Sequence, residues 1–496
     1  MSLIHKSASN NKHHVIFSTS YWAFIQMLFL QVGALAVAMY ITRMLSAAEY
    51  GLIPLINSLV ILLVVFVGLG LPGSMARFLA SQDTKRNQKL LVIRALIGAA
   101  PWVIFSTIII VMLFPYIVRF LNEPGLLELK WLFVCVLFLE LFRLFLEKAC
   151  HGTRNMRISA SFSGWASLSV VIVTVPVVWH DASAYMVFTA KIFALLVPSV
   201  RAAWSLRKVL TDDSSVLAEQ LPDIKEMMRY GLPLAVISLS GFGFVQLDML
   251  LLAYYGNSAT VGFYSVGVLL LIKLIELSKV IGFGVSPFYA KKNGDEIERA
   301  TYFITGMRYA LIVAAPLAIL IAIEADSILG YMFGSTYAQA GDSMVVLSAY
   351  FIMASVLAIA SPVLDFGGKA KIRAYGAIVG ALTNLILNIV LIPRYGAVGA
   401  AIATVCGYSI LFIVTISNVF NIIPLEALKN KSLLRLITFV APLILISMIV
   451  IKLVQDETSL LGNLLFLMIV YPVLLYWSGV VTKSEIDLVR RNLLRK

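Results

Sequence analysis

The sequence predicts an all-α polytopic membrane protein of about fourteen transmembrane helices. Three observations predict it. Of 496 residues, 60% are hydrophobic and 13% charged, and the mean hydropathy is +0.93, a composition of chains that live in a bilayer rather than of soluble globules. The apolar residues gather into runs of about 20, the length that crosses a ~30 Å hydrocarbon core at ~1.5 Å per residue. Between the runs, connections rich and poor in Lys and Arg alternate, which is the charge pattern that orients membrane helices.

The runs fall at 16–41, 52–72, 91–114, 129–147, 158–179, 184–204, 229–253, 260–288, 302–324, 343–363, 374–392, 397–418, 433–452 and 459–480. The first, from Val15 to Ile41, is longer than the 7–15-residue core of a cleavable signal peptide. Its Ala34, Ala36 and Ala38 therefore read as small residues for helix packing. Of the 39 Lys and Arg, the poor connections hold only Arg43, Arg119, Lys130, Arg394 and Lys452. The rich ones hold runs such as Lys85-Arg86, Arg207-Lys208, Lys291-Lys292 and Arg490-Arg491. Both termini are therefore expected in the cytoplasm, and an even number of spans agrees.

The net charge of +13 follows from those connections. No basic stripe with interleaved aromatics, the pattern of a nucleic-acid groove, is present. Cys135, Cys150 and Cys406 are scattered, with neither metal-ligand spacing nor a disulfide framework, and read as small apolar residues. External connections are short, the longest lying near 325–342. The longest cytoplasmic one, 205–228, contains Pro222-Asp223, a helix start. It divides the chain into an N-terminal six-helix bundle (1–204), a cytoplasmic linker (205–228), a second six-helix bundle (229–418) and a C-terminal helix pair with a basic tail (419–496).

The two halves read as repeats. Tyr50-Gly51-Leu52 leads through an apolar run to Gly68-Leu69-Gly70-Leu71-Pro72, and Val261-Gly262-Phe263-Tyr264 leads to Gly282-Phe283-Gly284-Val285 and Pro287. Both copies run from outside to inside, giving a parallel repeat of the kind that places a transport site at the repeat interface.

A charge at membrane depth costs roughly 2.5–3.5 kcal/mol on insertion scales, so it faces a partner or a wet cavity. Lys273, Glu276 and Lys279 sit in the middle of span 260–288, where Glu276 can reach either lysine at i±3. Glu140 and Arg143, with Glu147, allow an ion-pair ladder or a cavity lining. Lys191 has no partner in its own helix, and Asp248 is a candidate acid for it. Arg308 can snorkel to the cytoplasmic surface. Arg43 and Arg77 stand at span ends, as cavity-mouth charges or interface anchors. Bases outnumber deep acids, which points to an anionic solute. The candidate cavity bases are thus Lys273, Lys191, Arg143, Arg43 and Arg77, and the candidate ion-pair or coupling groups are Glu276, Asp248, Glu140 and Lys279.

No catalytic motif, metal cluster or nucleotide loop is present in the sequence, so no cofactor is expected and the chain is not read as an enzyme. Uphill transport would then draw on an ion gradient or the membrane potential. At roughly 2.3 kcal/mol per charge per 100 mV, exporting a dianion from a negative interior gains ~5 kcal/mol.

Several stretches resemble a known family: Arg43 with Glu49-Tyr50-Gly51; Met228-Arg229-Tyr230-Gly231-Leu232-Pro233; the Asp248 helix with Val261-Gly262-Phe263-Tyr264-Ser265; and Pro393-Arg394-Tyr395-Gly396-Ala397-Val398-Gly399-Ala400-Ala401-Ile402-Ala403-Thr404. Together, over most of residues 15–420, they resemble the polysaccharide transporters of the multidrug/oligosaccharidyl-lipid/polysaccharide (MOP) flippase superfamily. The resemblance implies two six-helix bundles in a V-shaped, MATE-like arrangement around a basic central cavity, plus two C-terminal helices. It implies a Wzx-type flippase of the bacterial inner membrane for undecaprenyl-pyrophosphate-linked oligosaccharide, a repeat unit of O-antigen, capsule or exopolysaccharide. H+ or Na+ would be the coupling ion, and the pathway's polymerase or chain-length proteins would be partners. Fourteen spans rather than twelve resemble the lipid II flippases, whose extra pair helps hold the lipid tail. Two other readings stand beside it: an ion-coupled drug exporter of the same fold, and a membrane glycan polymerase or ligase, which is expected to carry a sizeable external loop that this chain lacks.

Overall fold

The computed structural model describes residues 31–82, 84–153, 155–210, 221–242, 244–289, 296–423, 434–455, 459–481 and 483. The beginning of the first expected span, the centre of the 205–228 linker, Lys291-Lys292 and the basic C-terminal tail lie outside the described residues.

Among the described residues there is no strand. The chain runs α1 (residues 31–44), α2 (Ala47–Gly68), α3 (Leu71–Ala80), α4 (Lys85–Leu121), α5 (Lys130–Gly152), α6 (Met156–His180), α7 (Ala184–Val209), α8 (Ile224–Phe242), α9 (Gln246–Tyr255), α10 (Ser258–Tyr289), α11 (Glu296–Phe333), α12 (Gly341–Phe366) and α13 (Ala370–Phe420). Two last spans follow, α14 (Leu436–Val454) and α15 (Ser459–Trp477), each carrying a π turn, Leu436–Val440 and Phe466–Val470. Among the described residues, the expected apolar segments fall on these helices, with 52–72 divided between α2 and α3. Segment 229–253 is divided between α8 and α9, and α13 contains both 374–392 and 397–418.

Helix starts are written locally. Ser46 accepts from the Glu49 N–H, the Ser-x-x-Glu arrangement of a capping box. Thr84 and Ser183 accept from the Asn87 and Met186 N–H groups at the starts of α4 and α7, satisfying donors that have no partner within the helix. α4 presents Ile97, Phe105, Ile108 and Met112 outward, an apolar stripe suited to lipid.

Contacts divide the chain into two compact units, Met1–Gly262 and Phe263–Lys496. The first therefore includes α8 and α9, which the sequence reading grouped with the second half. Backbone approach explains this grouping. α2 ends on two left-handed residues, Leu69 (φ 46°) and Gly70 (φ 69°), and a Cβ on Gly70 would lie 1.9 Å from the Gly231 carbonyl oxygen of α8. One turn into α2, a Cβ on Gly51 would lie 1.7 Å from the Ser258 carbonyl oxygen, and one on Gly262 would lie 2.6 Å from the Ala47 carbonyl oxygen. The starts of α2 and α10, the two copies of the repeat motif, thus cross with their glycines facing each other. Ser58 also donates to Gln246 Oε1 at 2.7 Å, joining α2 to α9.

The glycine pairs that ended the two repeats serve different ends. Gly68-Leu69-Gly70 breaks a helix, whereas α10 stays helical through Gly282. There the missing side chain lets the Ala358 carbonyl oxygen approach to 2.4 Å of the Cβ position.

In the second unit, α13 turns back on itself at Gly396, whose φ of 52° and ψ of −129° interrupt the helix. Residues that a straight helix would hold about 30 Å or more apart meet across this hairpin. Asn384 Nδ2 donates to Thr404 Oγ1 at 3.1 Å, and Gly407 lies against the Gly380 carbonyl oxygen. Asn388 Nδ2 continues the chain to Asn384 Oδ1 at 3.0 Å. The C-terminal pair is bound to α11 by buried polar contacts. Asn463 donates to Glu324 Oε1 at 2.9 Å, Tyr471 donates to the Ile312 carbonyl at 2.7 Å, and Lys452 donates to the Ile323 carbonyl. Glu324 itself has non-helical backbone.

Candidate functional site

A cavity of about 590 Å³ lies within the first unit, inside the roughly 300–1,000 Å³ range of sites that enclose a small molecule or a head group. Three helices supply its polar wall: Asn57 from α2, Glu140, Arg143 and Lys148 from α5, and Lys191 from α7. Val60, Val64, Leu144 and Leu234 supply apolar wall.

The charges form one network. Arg143 Nε donates to Glu140 Oε2 at 2.6 Å, and its Nη1 donates to Glu147 Oε2 at 3.0 Å. These are the i,i+3 and i,i+4 reaches of a helix. From α7, Lys191 Nζ meets Glu140 Oε1 at 3.3 Å and donates to Asn57 Oδ1 at 2.8 Å. Glu140 therefore holds two cations from two helices. Its side chain is 18% exposed and that of Lys191 25%, so the pairs are screened less than surface pairs and more than fully buried ones.

Arg143 and Lys191 are balanced by Glu140 and Glu147. Lys148 also lines the cavity and has no hydrogen bond or ion pair among the described residues. The cavity wall thus carries one uncompensated positive charge. Glu140, Leu144 and Lys148 follow at i, i+4 and i+8 along one face of α5.

The other expected residues are placed as follows. The acid that meets Lys191 is Glu140, not Asp248, because α7 packs on α5. Asp248 is fully buried on α9. Arg77 sits on α3, with its guanidinium 4.0 Å from the Tyr230 ring centroid, and Arg43 is exposed at the end of α1. Neither lines this cavity. Lys273, Glu276 and Lys279 belong to the second unit. Of the two lysines within reach of Glu276, Lys279 forms the pair, at 2.6 Å, and Lys273 is half-buried beside it. Arg308 is buried and donates to the Val480 carbonyl at 3.1 Å rather than reaching for the surface. Sequence reasoning missed Asn57 and Lys148. Asn57 was a lone amide in an apolar run. Lys148 fell just past the expected end of its span at residue 147, whereas α5 continues to Gly152.

The sequence pattern of a family described as polysaccharide biosynthesis protein matches residues 18–278. An uncharacterized membrane protein of Methanocaldococcus jannaschii is 34% identical over 136 residues, 27% of each chain. The probable low-salt glycan biosynthesis flippase Agl15 of Haloferax volcanii is 25% identical over 226 residues, 45% of this chain and 47% of the relative. The chain thus spans less than half the length of these two relatives. The probable flippase AglR of the same organism is 22% identical over 380 residues, 75% of this chain and 76% of the relative. Among solved structures, the lipid II flippase MurJ in an inward closed conformation superposes with a TM-score of 0.73 at 13% identity, covering 96% of this chain and all of MurJ (100%). An inward-facing MATE-family multidrug transporter of the MOP superfamily gives 0.58 at 15% identity, covering 82% and 99%. The fold is the polytopic helical fold of these transporters.

Proposed function

The chain belongs to the polysaccharide biosynthesis protein family, and from that membership we propose that it is a flippase for a lipid-linked glycan. The observation that carries this reading is the first-unit cavity, whose wall keeps Lys148 uncompensated beside a closed network of paired charges. A lipid-linked sugar presents an anionic phosphate junction, many hydroxyls and a long apolar tail. Lys148 supplies an ammonium for the phosphate. Asn57 and Glu140 supply acceptors for sugar hydroxyls, while the tail stays in lipid. The relatives named as flippases and the likeness to a lipid II flippase support the same reading.

In its finer form, the substrate is an undecaprenyl-pyrophosphate-linked repeat unit of O-antigen, capsule or exopolysaccharide. It moves from the cytoplasmic to the outer face of a bacterial inner membrane by alternating access, and both termini are cytoplasmic by the distribution of Lys and Arg. Lys273 is proposed as a further base for the head group. H+ or Na+ is the proposed coupling ion, with Asp248 or Glu276 as its site. The chain acts as a carrier rather than a catalyst.

The experiment is the sidedness of lipid-linked oligosaccharide in cells lacking the protein. Accumulation on the cytoplasmic face with loss of surface glycan is expected. Normal sidedness with unpolymerised or unligated repeats outside would instead favour the polymerase or ligase reading. The likeness to a multidrug transporter favours one second reading, ion-coupled export of a small molecule, which predicts no glycan phenotype at all.

A further inference from the structure

A second, smaller cavity of about 150 Å³ lies along α6 and α7 in the first unit. Ser161, Phe162 and Trp165 of α6 face Pro198, Arg201 and Ser205 of α7. Counted from Ile158 on α6 and from Pro198 on α7, the lining residues recur at three, four and seven positions, one face over two turns. The volume is below that of sites that enclose a whole small molecule, so the groove suits a compact head group and not a glycan repeat.

Its chemistry is one-sided. The Arg201 guanidinium lies 4.5 Å from the Trp165 ring centroid, and one to two turns on, Lys208 Nζ lies 3.5 Å from the Trp204 centroid. Among the described residues, no Asp or Glu lines the groove. A guanidinium stacked by one face on an indole keeps its N–H edge free to fork onto phosphate oxygens, and Ser161 and Ser205 add hydroxyl donors. Beyond the groove, the two helices expose Leu168, Ile172, Phe193, Val197 and Val200, apolar side chains suited to hydrocarbon. The tryptophans and bases gather at the end of α6 and α7 that the charge rule places at the cytoplasmic surface, where amphipathic rings sit at head-group level.

We propose that this groove binds the phosphate of an anionic glycerophospholipid from the cytoplasmic leaflet, with the acyl chains lying against Leu168 and Val197. Charge complementarity selects an anion, and the apolar side chains beyond the groove select an anion attached to hydrocarbon. The site lies apart from the larger cavity and stands whether or not that cavity carries a glycan. If Arg201 merely snorkelled to the interface, it would show no preference among lipids.

The test is native mass spectrometry of the full-length purified chain titrated with phosphatidylglycerol or phosphatidylcholine. Phosphatidylglycerol is expected to be retained preferentially. Arg201→Ala should weaken that binding about tenfold, the loss of one charge-assisted contact, and Arg201→Lys should weaken it less. Arg119→Ala, which removes an exposed base of α4, should leave it unchanged. Should Arg201→Ala fail to fold, the Ser161→Ala/Ser205→Ala pair, checked for a wild-type melting profile, tests the same groove. Equal retention of the two lipids, or phosphatidylglycerol binding unchanged in these variants, would overturn the proposal. Displacement of the lipid by inorganic phosphate at comparable concentration would also overturn it, marking a site for free anions.

Discussion

Lys191 on α7 and Glu140 on α5 meet at 3.3 Å, and the same carboxylate holds Arg143 at 2.6 Å on its other oxygen. One carboxylate thus bridges two bases inside a membrane helix bundle, and Glu147 supplies the second negative charge. Glu140→Ala should strand Lys191 at a depth where charge is costly, while Arg143 keeps Glu147 at 3.0 Å. Breaking a fully buried pair costs 3–5 kcal/mol. At the exposures seen here, about 1–3 kcal/mol is expected, read as a lowered melting temperature in detergent. In a double-mutant cycle, Lys191→Met should recover part of that loss, because it removes the stranded charge.

Lys148 contributes differently. It lines the cavity without an ion-pair partner among the described residues, so Lys148→Ala should leave melting within about 0.5 kcal/mol of wild type, as for a substitution that breaks no network. Glycan translocation should fall about tenfold, the worth of one charged contact to phosphate, and Lys148→Arg should restore most of it. Transport assays paired with melting curves on the same preparations separate the two effects.

Gly51→Ala should be among the most damaging single-methyl insertions in the chain. The new Cβ would sit 1.7 Å from the Ser258 carbonyl oxygen, and backbone cannot step aside as a side chain can. A cost of roughly 3 kcal/mol or more is expected, at the upper end of overpacking effects. Gly164→Ala, where nothing lies within 4 Å of the added carbon, is the matched control and should be neutral or slightly stabilising. Expression level and melting temperature of the two variants check this.

Gly396→Ala should loosen the α13 hairpin for a conformational reason alone, since no atom lies within 4 Å of a Cβ there. With φ at 52° and ψ at −129°, the backbone is in a region that other residues occupy at a cost of roughly 1–3 kcal/mol. Faster hydrogen exchange near Asn384 and Thr404, with the rest of the molecule unchanged, is the expected signature.

The sequence made the helices legible and the partners illegible, and particular residues show why. Apolar runs of membrane length must be helices, because backbone groups in hydrocarbon have to be satisfied within the segment. That is why, among the described residues, the expected runs are helical, and why Pro393-Arg394-Tyr395-Gly396 separated two runs where α13 turns. Glu140, Arg143 and Glu147 could be linked because helical spacing alone brings them together. Lys191 could be recognised as needing an acid from another span, and Asp248 was the candidate; the packing of α7 on α5 supplies Glu140 instead. Lys148 was hidden by an end effect. Hydropathy falls at the charged end of the run, while hydrogen bonding carries α5 past it to Gly152. The facing of Gly51 and Gly262 was present in the repeat only as similarity, since a periodic pattern records which residues correspond, not which ones touch.

The central claim, that a base in the first-unit cavity docks the phosphate junction of a lipid-linked glycan, is tested most directly by complementation. Cells lacking the protein would receive wild type, Lys148→Arg or Lys148→Glu, with the membrane level of each variant confirmed, and the sidedness of the lipid-linked oligosaccharide would be measured. Outward transfer is expected with wild type and Lys148→Arg, and cytoplasmic accumulation with Lys148→Glu, where a carboxylate repels the phosphate. Outward transfer at the wild-type rate with Lys148→Glu would contradict the claim.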